Sequence, residues 1–310
     1  MYNSSRAVRP VNKDHYESNG AVAALAAAVA RDQQPPGALI VDPCAGFGSI
    51  YAELPEPKRA FDIVPQFEEC LQQDFLEADR PTEGPLLLCM NPPFSLRGQR
   101  SGVVAFLNKA AELLRAGEVC VAVVPHSMRR WINIRRVAPA LHLEEEHVMP
   151  KETPFRTPDG RRCLVCVAVQ VWRLRETPRL EPEYARSHPD FTITCGLQAE
   201  RPVFFFKNWG SGTRIGALAD EDSLDASGTR SAVGTIKARK GTAYCVYGGP
   251  EVRARFQALH ASGDWERYTR YTSAGRNNPN VNVAEICSIY VHGVDYYEKK
   301  NWGVEVRIYE

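Results

Sequence analysis

The run Asn91-Pro92-Pro93-Phe94 combines residue types that suit a binding site for a flat, hydrogen-bonding ring. Each proline fixes its own φ and lacks a backbone donor, and the residue before a proline is pushed out of the helical region. The carbonyl groups of such a turn join neither a helix nor a sheet, so they can accept hydrogen bonds from a ligand. With an amide and an aromatic side chain beside them, they predict a site for a planar amino group.

Three acidic residues and a glycine-rich turn precede that run. Asp42 is followed at once by residues 43–48 (Pro-Cys-Ala-Gly-Phe-Gly), Asp62 comes 20 residues after Asp42, and Asp74 precedes Phe75. A glycine-rich turn after a strand lets the backbone approach a ligand, and an acid about 20 residues further on typically binds ribose hydroxyls. Asp42 would repel a phosphate, so it indicates a ligand with a positive centre. Asp74 and Phe75 could bind the amino group and the ring of adenine, so the set predicts a nucleoside site.

Short apolar strands must position these side chains. Continuous apolar runs predict buried parallel strands over 38–44, 58–64, 85–90 and 118–125. Helices are expected over 21–32, 103–115 and 127–140, and two long strands over 141–149 and 162–174, joined by a loop over 150–161, end the sheet as an antiparallel pair. The sequence therefore predicts an α/β fold in which the functional residues follow the carboxyl ends of parallel strands.

The composition of the sequence changes after about residue 175. Residues 176–190 are charged and contain prolines, which is typical of a linker, so we expect one domain over 1–175 and another over 191–310. The second region has short strand candidates at 203–207, 233–238 and 242–247 and helices near 250–261 and 282–291, which predicts a smaller α+β domain.

Composition narrows the functional classes only slightly. The chain of 310 residues carries a net charge of +1, with 15 basic against 18 acidic residues in 1–150 and 23 against 19 in 151–310. This asymmetry permits a polyanionic partner for the second half. No run of 18 apolar residues suggests a membrane helix and the N-terminus lacks an apolar signal core, so we expect no membrane partner and a cytoplasmic location.

The nine cysteines lie mostly in apolar runs, which is typical of reduced core residues. Cys163 and Cys166 have the spacing of a metal knuckle, but they lie in a strand-like run and no second pair accompanies them. No metal site is therefore expected.

Residues 42–48 together with Asn91-Pro92-Pro93-Phe94 resemble the motif pair of S-adenosylmethionine-dependent amino-methyltransferases, most closely the N6-adenine methyltransferases of phage and restriction–modification type. The resemblance covers about residues 11–175. It implies a Rossmann-like class I methyltransferase sheet with an antiparallel last strand, S-adenosyl-L-methionine as the cofactor, and nucleic acid, DNA in the first place, as the partner. The C-terminal domain would then recognise the target, an inference that rests on its position alone.

The resemblance also implies roles for individual residues. The catalytic residues would be Asn91, Pro92 through its carbonyl, and Phe94 through stacking on the base. Cofactor contacts would come from Tyr16, in a segment that closes over the cofactor, and from Asp42, Cys44, Gly46, Gly48, Asp62, Asp74 and Phe75. Substrate contacts are expected from Pro93, Phe155, Arg97 and Arg100. Phe155 is the candidate for the second face of the base, with a simple packing role as its alternative.

Two other functions remain open at the level of sequence. The same chemistry could act on an RNA adenine or on a protein glutamine, since glutamine methyltransferases also use Asn-Pro-Pro-aromatic. Alternatively, the chain could be a catalytically silent partner subunit that binds nucleic acid. The presence of Asp42, Asp62, Asp74 and Asn91 together argues against a silent copy.

Overall fold

The computed structural model describes most of the N-terminal half of the chain and separate stretches of the remainder. The described residues are 20–96, 101–149, 153–156, 162–181, 185–195, 202–207, 214–217, 230–231, 234–235, 243–265, 281–293 and 302–309. The chain divides into a first unit (1–125, 135–179 and 306–310) and a second unit (126–134 and 180–305). The change of unit after Arg179 lies within the linker predicted over 176–190.

Helices are interspersed among the strands up to residue 125, whereas strands come before helices in most of the second unit. The helices are α1 (Gly20–Gln33), α2 (Ser49–Glu53), α3 (Gly102–Leu113), α4 (Trp131–Ile134), α5 (Pro250–Ala261) and α6 (Val283–His292). The strands are β1 (Leu39–Asp42), β2 (Lys58–Asp62), β3 (Cys70–Gln72), β4 (Leu86–Met90), β5 (Val119–Pro125), β6 (Leu141–Val148), β7 (Pro154–Arg156), β8 (Arg162–Leu164), β9 (Val167–Leu174), β10 (Phe191–Cys195), β11 (Phe204–Lys207), β12 (Arg214–Ala217), β13 (Arg230–Ser231), β14 (Gly234–Thr235), β15 (Ala243–Gly248) and β16 (Glu305–Ile308).

An eight-stranded sheet forms the centre of the first unit, in the order β16-β6-β9-β5-β4-β1-β2-β3. The neighbouring strands from β3 to β5 pair in parallel, and β9 is antiparallel to both β5 and β6. This topology confirms the predicted Rossmann-like sheet with an antiparallel strand near its end. The presence of β16 was not predicted, and it brings the C-terminal residues into the first sheet.

Burial on both faces explains the continuous apolar strands. All five residues of β4 are buried, and so are the first six of β5. On one face α1 packs through small side chains such as Ala23, Ala26 and Ala30. Small residues allow helix and sheet to approach closely, and the Cys89 thiol reaches the Ala26 carbonyl at 3.8 Å. Because hydrophobic burial drives folding, this layer fixes β4 and the residues that follow it.

The second unit has a four-stranded antiparallel sheet in the order β10-β15-β11-β12, as expected of an α+β module. Its core is aromatic, with Phe204, Phe206, Phe256 and Trp265 fully buried. A buried ion pair, Arg130 with Glu285, joins residues 126–134 to α6, and Glu285 also forms a capping box with Asn282.

Two predicted elements differ from the structure. Residues 126–129 form a 3-10 turn and α4 ends at Ile134, so the helix predicted over 127–140 is much shorter. The side chain of Asn108 donates to the Arg136 carbonyl at 3.2 Å and accepts from the Ala138 N–H at 2.7 Å, which uses backbone groups that a longer helix would need.

The strand predicted over 162–174 is divided into β8 and β9. β8 pairs with β7 in a separate two-stranded sheet, so the expected loop over 150–161 also contains a strand. Residues 163–166 are apolar throughout, and an apolar run does not reveal where a strand changes sheet.

Candidate functional site

Four neighbouring strands of the first unit end beside one another at the carboxyl edge of the sheet. β1 ends at Asp42 and β2 at Asp62, while Asp74 follows β3 by two residues and Asn91 follows β4 directly. The register pairs Val41 with Leu88, and Asp62 with Gln72. Since neighbouring strands lie about 4.8 Å apart, the structure brings these four predicted site residues to one edge.

The glycine-rich turn after β1 depends on the backbone freedom of glycine. Gly46 and Gly48 have φ values of +53° and +83°, which residues with a side chain rarely adopt. The Asp62 carboxylate holds this turn, because it accepts from the Gly46 N–H at 2.8 Å and, through its other oxygen, from the Val64 N–H at 2.9 Å. Each carboxylate oxygen has a second acceptor position, so Asp62 can still accept from a ligand hydroxyl.

Asp42 is a carboxyl group almost without solvent contact, at 1% exposure. Burial raises the pKa of Asp42 to about 8, the Cys44 N–H at 3.3 Å opposes this rise, and the nearby Asp62 adds to it. A buried acid beside a second acid favours a cation as its neighbour. The electrostatics of the turn therefore suit a positively charged ligand group.

Cys44 joins the glycine-rich turn to the residues after β4. The backbone N–H of Asn91 donates to the Cys44 sulfur, although burial and the charges of Asp42 and Asp62 still raise the pKa of the thiol well above its usual value. A neutral thiol is a poor nucleophile. Cys44 thus acts as a contact between two predicted motifs.

The Asn91–Phe94 turn leaves the sheet against the core of the first unit. Pro92 is buried, whereas Asn91, Pro93 and Phe94 are half-buried. The Phe94 side chain packs against the core cluster beneath α1, and the Phe94 carbonyl accepts from the Gly102 N–H at 3.3 Å. The sheet and the start of α3 therefore hold this turn from both ends.

Asp74 and Phe75 continue the same edge beyond β3. The Gln73 N–H donates to the Asp62 carbonyl at 2.9 Å, and Asp74 caps a 3-10 turn by accepting from the Leu76 N–H at 3.0 Å. Phe75 is 3% exposed and its ring lies 5.3 Å from that of Phe106 on α3. Little of the Phe75 ring remains for a ligand, so its contact with adenine stays a prediction.

Phe155 lies in β7 with no exposed surface, as a member of the core cluster beneath α1. A ring without exposed surface offers no face to a base, so the expected stacking role is corrected to a packing role. Tyr16, Arg97 and Arg100 lie outside the described residues, and their expected roles remain predictions.

Three exposed apolar residues beside the turn were not singled out from sequence. Phe47, between the two glycines, is 55% exposed, and Ile63 and Val64, directly after β2, are 48% and 47% exposed. Exposed apolar side chains in the loops that follow β1 and β2 suit the apolar parts of a ligand. In the sequence, only the position of Phe47 inside the glycine-rich turn could have indicated this role.

Within the part of the chain that the structure describes, no three His, Cys, Asp or Glu side chains come together as a metal site. Free thiols are found at Cys44, Cys70, Cys89, Cys120, Cys166, Cys195, Cys245 and Cys287. Among the same residues, none of the helices has the length and apolar character that crossing a membrane requires.

No family model and no curated protein matches this chain. Solved structures do match it, at low identity. A candidate class I S-adenosylmethionine-dependent methyltransferase from Listeria monocytogenes is 13% identical, with a TM-score of 0.40, over 56% of this chain and 65% of that one. A candidate RNA methyltransferase from Pyrococcus horikoshii is 13% identical, with a TM-score of 0.40, over 55% and 92%.

The M protein of the type I restriction enzyme EcoKI is also 13% identical, with a TM-score of 0.33, over 53% of this chain and 45% of that one. The match therefore spans less than two thirds of the Listeria and EcoKI chains. With TM-scores below 0.5, these likenesses do not bear on the reaction that this chain performs.

Proposed function

We propose that this chain transfers a methyl group from S-adenosyl-L-methionine to the N6 amino group of adenine in DNA. The observation that carries the proposal is the contact between the two motifs, in which the Asn91 N–H donates to the sulfur of Cys44 in the glycine-rich turn. A donor bound at that turn and an amino group bound at Asn91 would then be neighbours.

The residues present fit this cofactor. S-Adenosylmethionine carries a sulfonium and an ammonium cation, and Asp42 is a buried acid with no cationic partner among the described residues. Gly46 and Gly48 would allow the backbone to approach the methionine part, and Asp62 and Asp74 would accept hydrogen bonds from the ribose hydroxyls and the adenine amino group. Cys44 remains a proposed cofactor contact in the same turn.

The cofactor supplies an electrophilic methyl group, and the chain supplies alignment. An exocyclic aromatic amine is a poor nucleophile, because its lone pair is delocalised into the ring. The Asn91 side-chain oxygen and the Pro92 carbonyl would accept the two N–H groups and favour a pyramidal nitrogen. Phe94 would stack on the base. Such contacts are strongest in the transition state and need no covalent enzyme intermediate.

Nucleic acid is proposed as the substrate because the second unit is a separate module with a basic excess in its half of the sequence. In a duplex the target base must first leave the stack, which costs a few kcal/mol. Pro93, Arg97 and Arg100 remain the proposed substrate contacts in the first unit. An RNA adenine and a protein glutamine are the alternative acceptors.

Incubation with methyl-labelled cofactor and separate DNA, RNA and protein pools tests the proposal. We expect label in DNA, recovered as N6-methyladenine after digestion. Label in RNA or in protein would replace the proposed acceptor. Cofactor binding without transfer to any pool would favour the silent-subunit alternative.

A further inference from the structure

The first residue of α3 makes an unusually close approach to the Asn91–Phe94 turn. Gly102 is buried, and its N–H donates to the Phe94 carbonyl at 3.3 Å. A Cβ atom placed on Gly102 would lie 3.0 Å from the Pro93 carbonyl carbon, closer still to its oxygen, and 3.2 Å from Leu96. The absence of a side chain therefore allows the helix to touch the turn.

Other glycines make different contacts. A Cβ at Gly48 would meet the Phe67 ring at 2.9 Å, and one at Gly248 would meet the Val252 side chain. The Phe67 and Val252 side chains can change rotamer to make room. The Pro93 carbonyl cannot, because it is a backbone group that follows two consecutive prolines and precedes Phe94. A Cβ at Gly20 or Gly249 would meet nothing within 4 Å.

Helix formation does not explain a glycine at this position. Glycine is a poorer helix former than alanine, and Ser101 already caps α3 by accepting from the Val104 N–H at 3.3 Å. The φ of Gly102 is not in the left-handed region, so its backbone conformation does not require glycine either. The contact with the turn remains as the physical reason.

We propose that Gly102 is a positioning residue for methyl transfer. By letting α3 begin directly against the Pro93 carbonyl, it fixes the distance of the Asn91–Phe94 turn from the glycine-rich turn after β1. This inference rests on the proposed function. A side chain at residue 102 would push the turn away from α3, and a misplacement of about 1 Å can cost about 100-fold in rate.

The test compares Gly102→Ala with two controls. Ser101→Ala removes the cap of the same helix without adding bulk near Pro93, and Gly249→Ala adds a Cβ in open space at the start of another helix. For each variant we would measure kcat with DNA, the cofactor Kd by calorimetry, and Tm.

For Gly102→Ala we expect kcat to fall by about 100-fold while the cofactor Kd stays within about threefold. Ser101→Ala should lower Tm by a few degrees and leave kcat within about threefold. Gly249→Ala should also leave kcat within about threefold, with at most a small decrease in Tm because Gly249 is the N-cap of α5. A crystal structure of Gly102→Ala should show the Pro93 carbonyl displaced from its wild-type position relative to β4.

Several results would overturn the inference. Gly102→Ala could keep its kcat, lose cofactor affinity in step with kcat, fail to fold, or show an unmoved turn. If the wild-type protein transfers no methyl group to any acceptor, the proposed function fails. The crystal structure still decides whether Gly102 sets the position of the turn, so the two failures are distinguishable.

Discussion

At the scale of single residues, Asp42 is a buried acid with no cationic partner in the part of the chain that the structure describes. Asp42 is nearly inaccessible, and burial, opposed by the Cys44 N–H and supported by Asp62, raises its pKa to about 8. The acid is therefore largely protonated at neutral pH in the free protein. A cationic ligand stabilises the carboxylate, so its binding must release a proton below about pH 8.

Asp42 should make cofactor affinity depend on pH. We expect the affinity for S-adenosylmethionine to rise from pH 6 towards about pH 8 and then to level off, because less proton release is needed as the acid ionises. Asp42→Asn should bind more weakly and lose this slope, whereas the exposed control Asp79→Asn should keep it. Calorimetry across this range measures both; a flat wild-type profile would contradict the assignment.

The same shift has a consequence for stability. The folded protein holds a proton on Asp42 that the unfolded chain releases above about pH 4. The stabilisation of the fold that comes from the raised pKa of Asp42 is therefore fully present below about pH 4 and is lost as the pH rises to about 8. Cofactor binding should recover stability at the alkaline end, where the carboxylate has a cation beside it.

At the scale of elements, the sequence predicted the parallel strands of the first sheet better than the points at which the later strands end. The apolar runs before Asp42 and Asn91 predicted buried parallel strands, because only burial on both faces makes such runs common. The break between β8 and β9 was missed, since apolar residues continue across it. The sequence left the role of Phe155 open between stacking and packing, because an aromatic residue in a loop pattern suits either a ligand or a core.

Tertiary contacts also stabilise the amino edge of the sheet, which lies opposite the carboxyl edge that carries the candidate site. Arg80 donates to both oxygens of Glu118 at 2.7 Å and to three backbone carbonyls, and Glu118 accepts from the Leu86 N–H at 2.9 Å. Burial would raise the pKa of Glu118, but hydrogen bonds from Arg80 and from the amides of Arg115 and Leu86 lower it overall. No motif in the sequence indicates this pair, since its members are 38 residues apart.

Removing one member of this pair should destabilise the fold. We expect Arg80→Met to lower the free energy of unfolding by about 3 kcal/mol, because it leaves the carboxylate of Glu118 unpaired in the interior. Arg115→Met is the matched control, since its pair with Glu83 is exposed and should contribute less than about 1 kcal/mol. Urea denaturation measures both. Equal losses in the two variants would show that the buried pair has no special role.

At the scale of the whole molecule, each unit includes a short segment that is separated in sequence from the rest of that unit. Residues 126–134 belong to the second unit, where Arg130 pairs with Glu285 and the Trp131 ring lies 5.5 Å from that of Trp302. Residues 306–310 belong to the first unit, where the Tyr309 hydroxyl lies 2.9 Å from the His147 ring. These partners are far apart in sequence, so local patterns carry no sign of them.

The proposed division of labour predicts salt-dependent binding of DNA. Residues 151–310 carry 23 basic and 19 acidic side chains, and phosphate contacts release counterions when DNA binds. We expect the affinity for a fluorescent duplex, measured by anisotropy, to fall at least about tenfold between about 50 and 200 mM salt. Affinity for the cofactor, whose proposed site includes buried Asp42, should change little. Salt-independent DNA binding would contradict the proposed electrostatic contact.

The central claim is that the residues after β4 present an amino nitrogen to a methyl donor at the turn after β1. The most direct measurement is mass spectrometry of nucleosides from duplex DNA treated with deuterated S-adenosylmethionine and either wild-type protein or Asn91→Ala. We predict deuterated N6-methyladenine with the wild type and a loss of at least about 100-fold with Asn91→Ala, at unchanged cofactor affinity. Label on carbon 5 of cytosine, or equal labelling by the two proteins, would contradict the account.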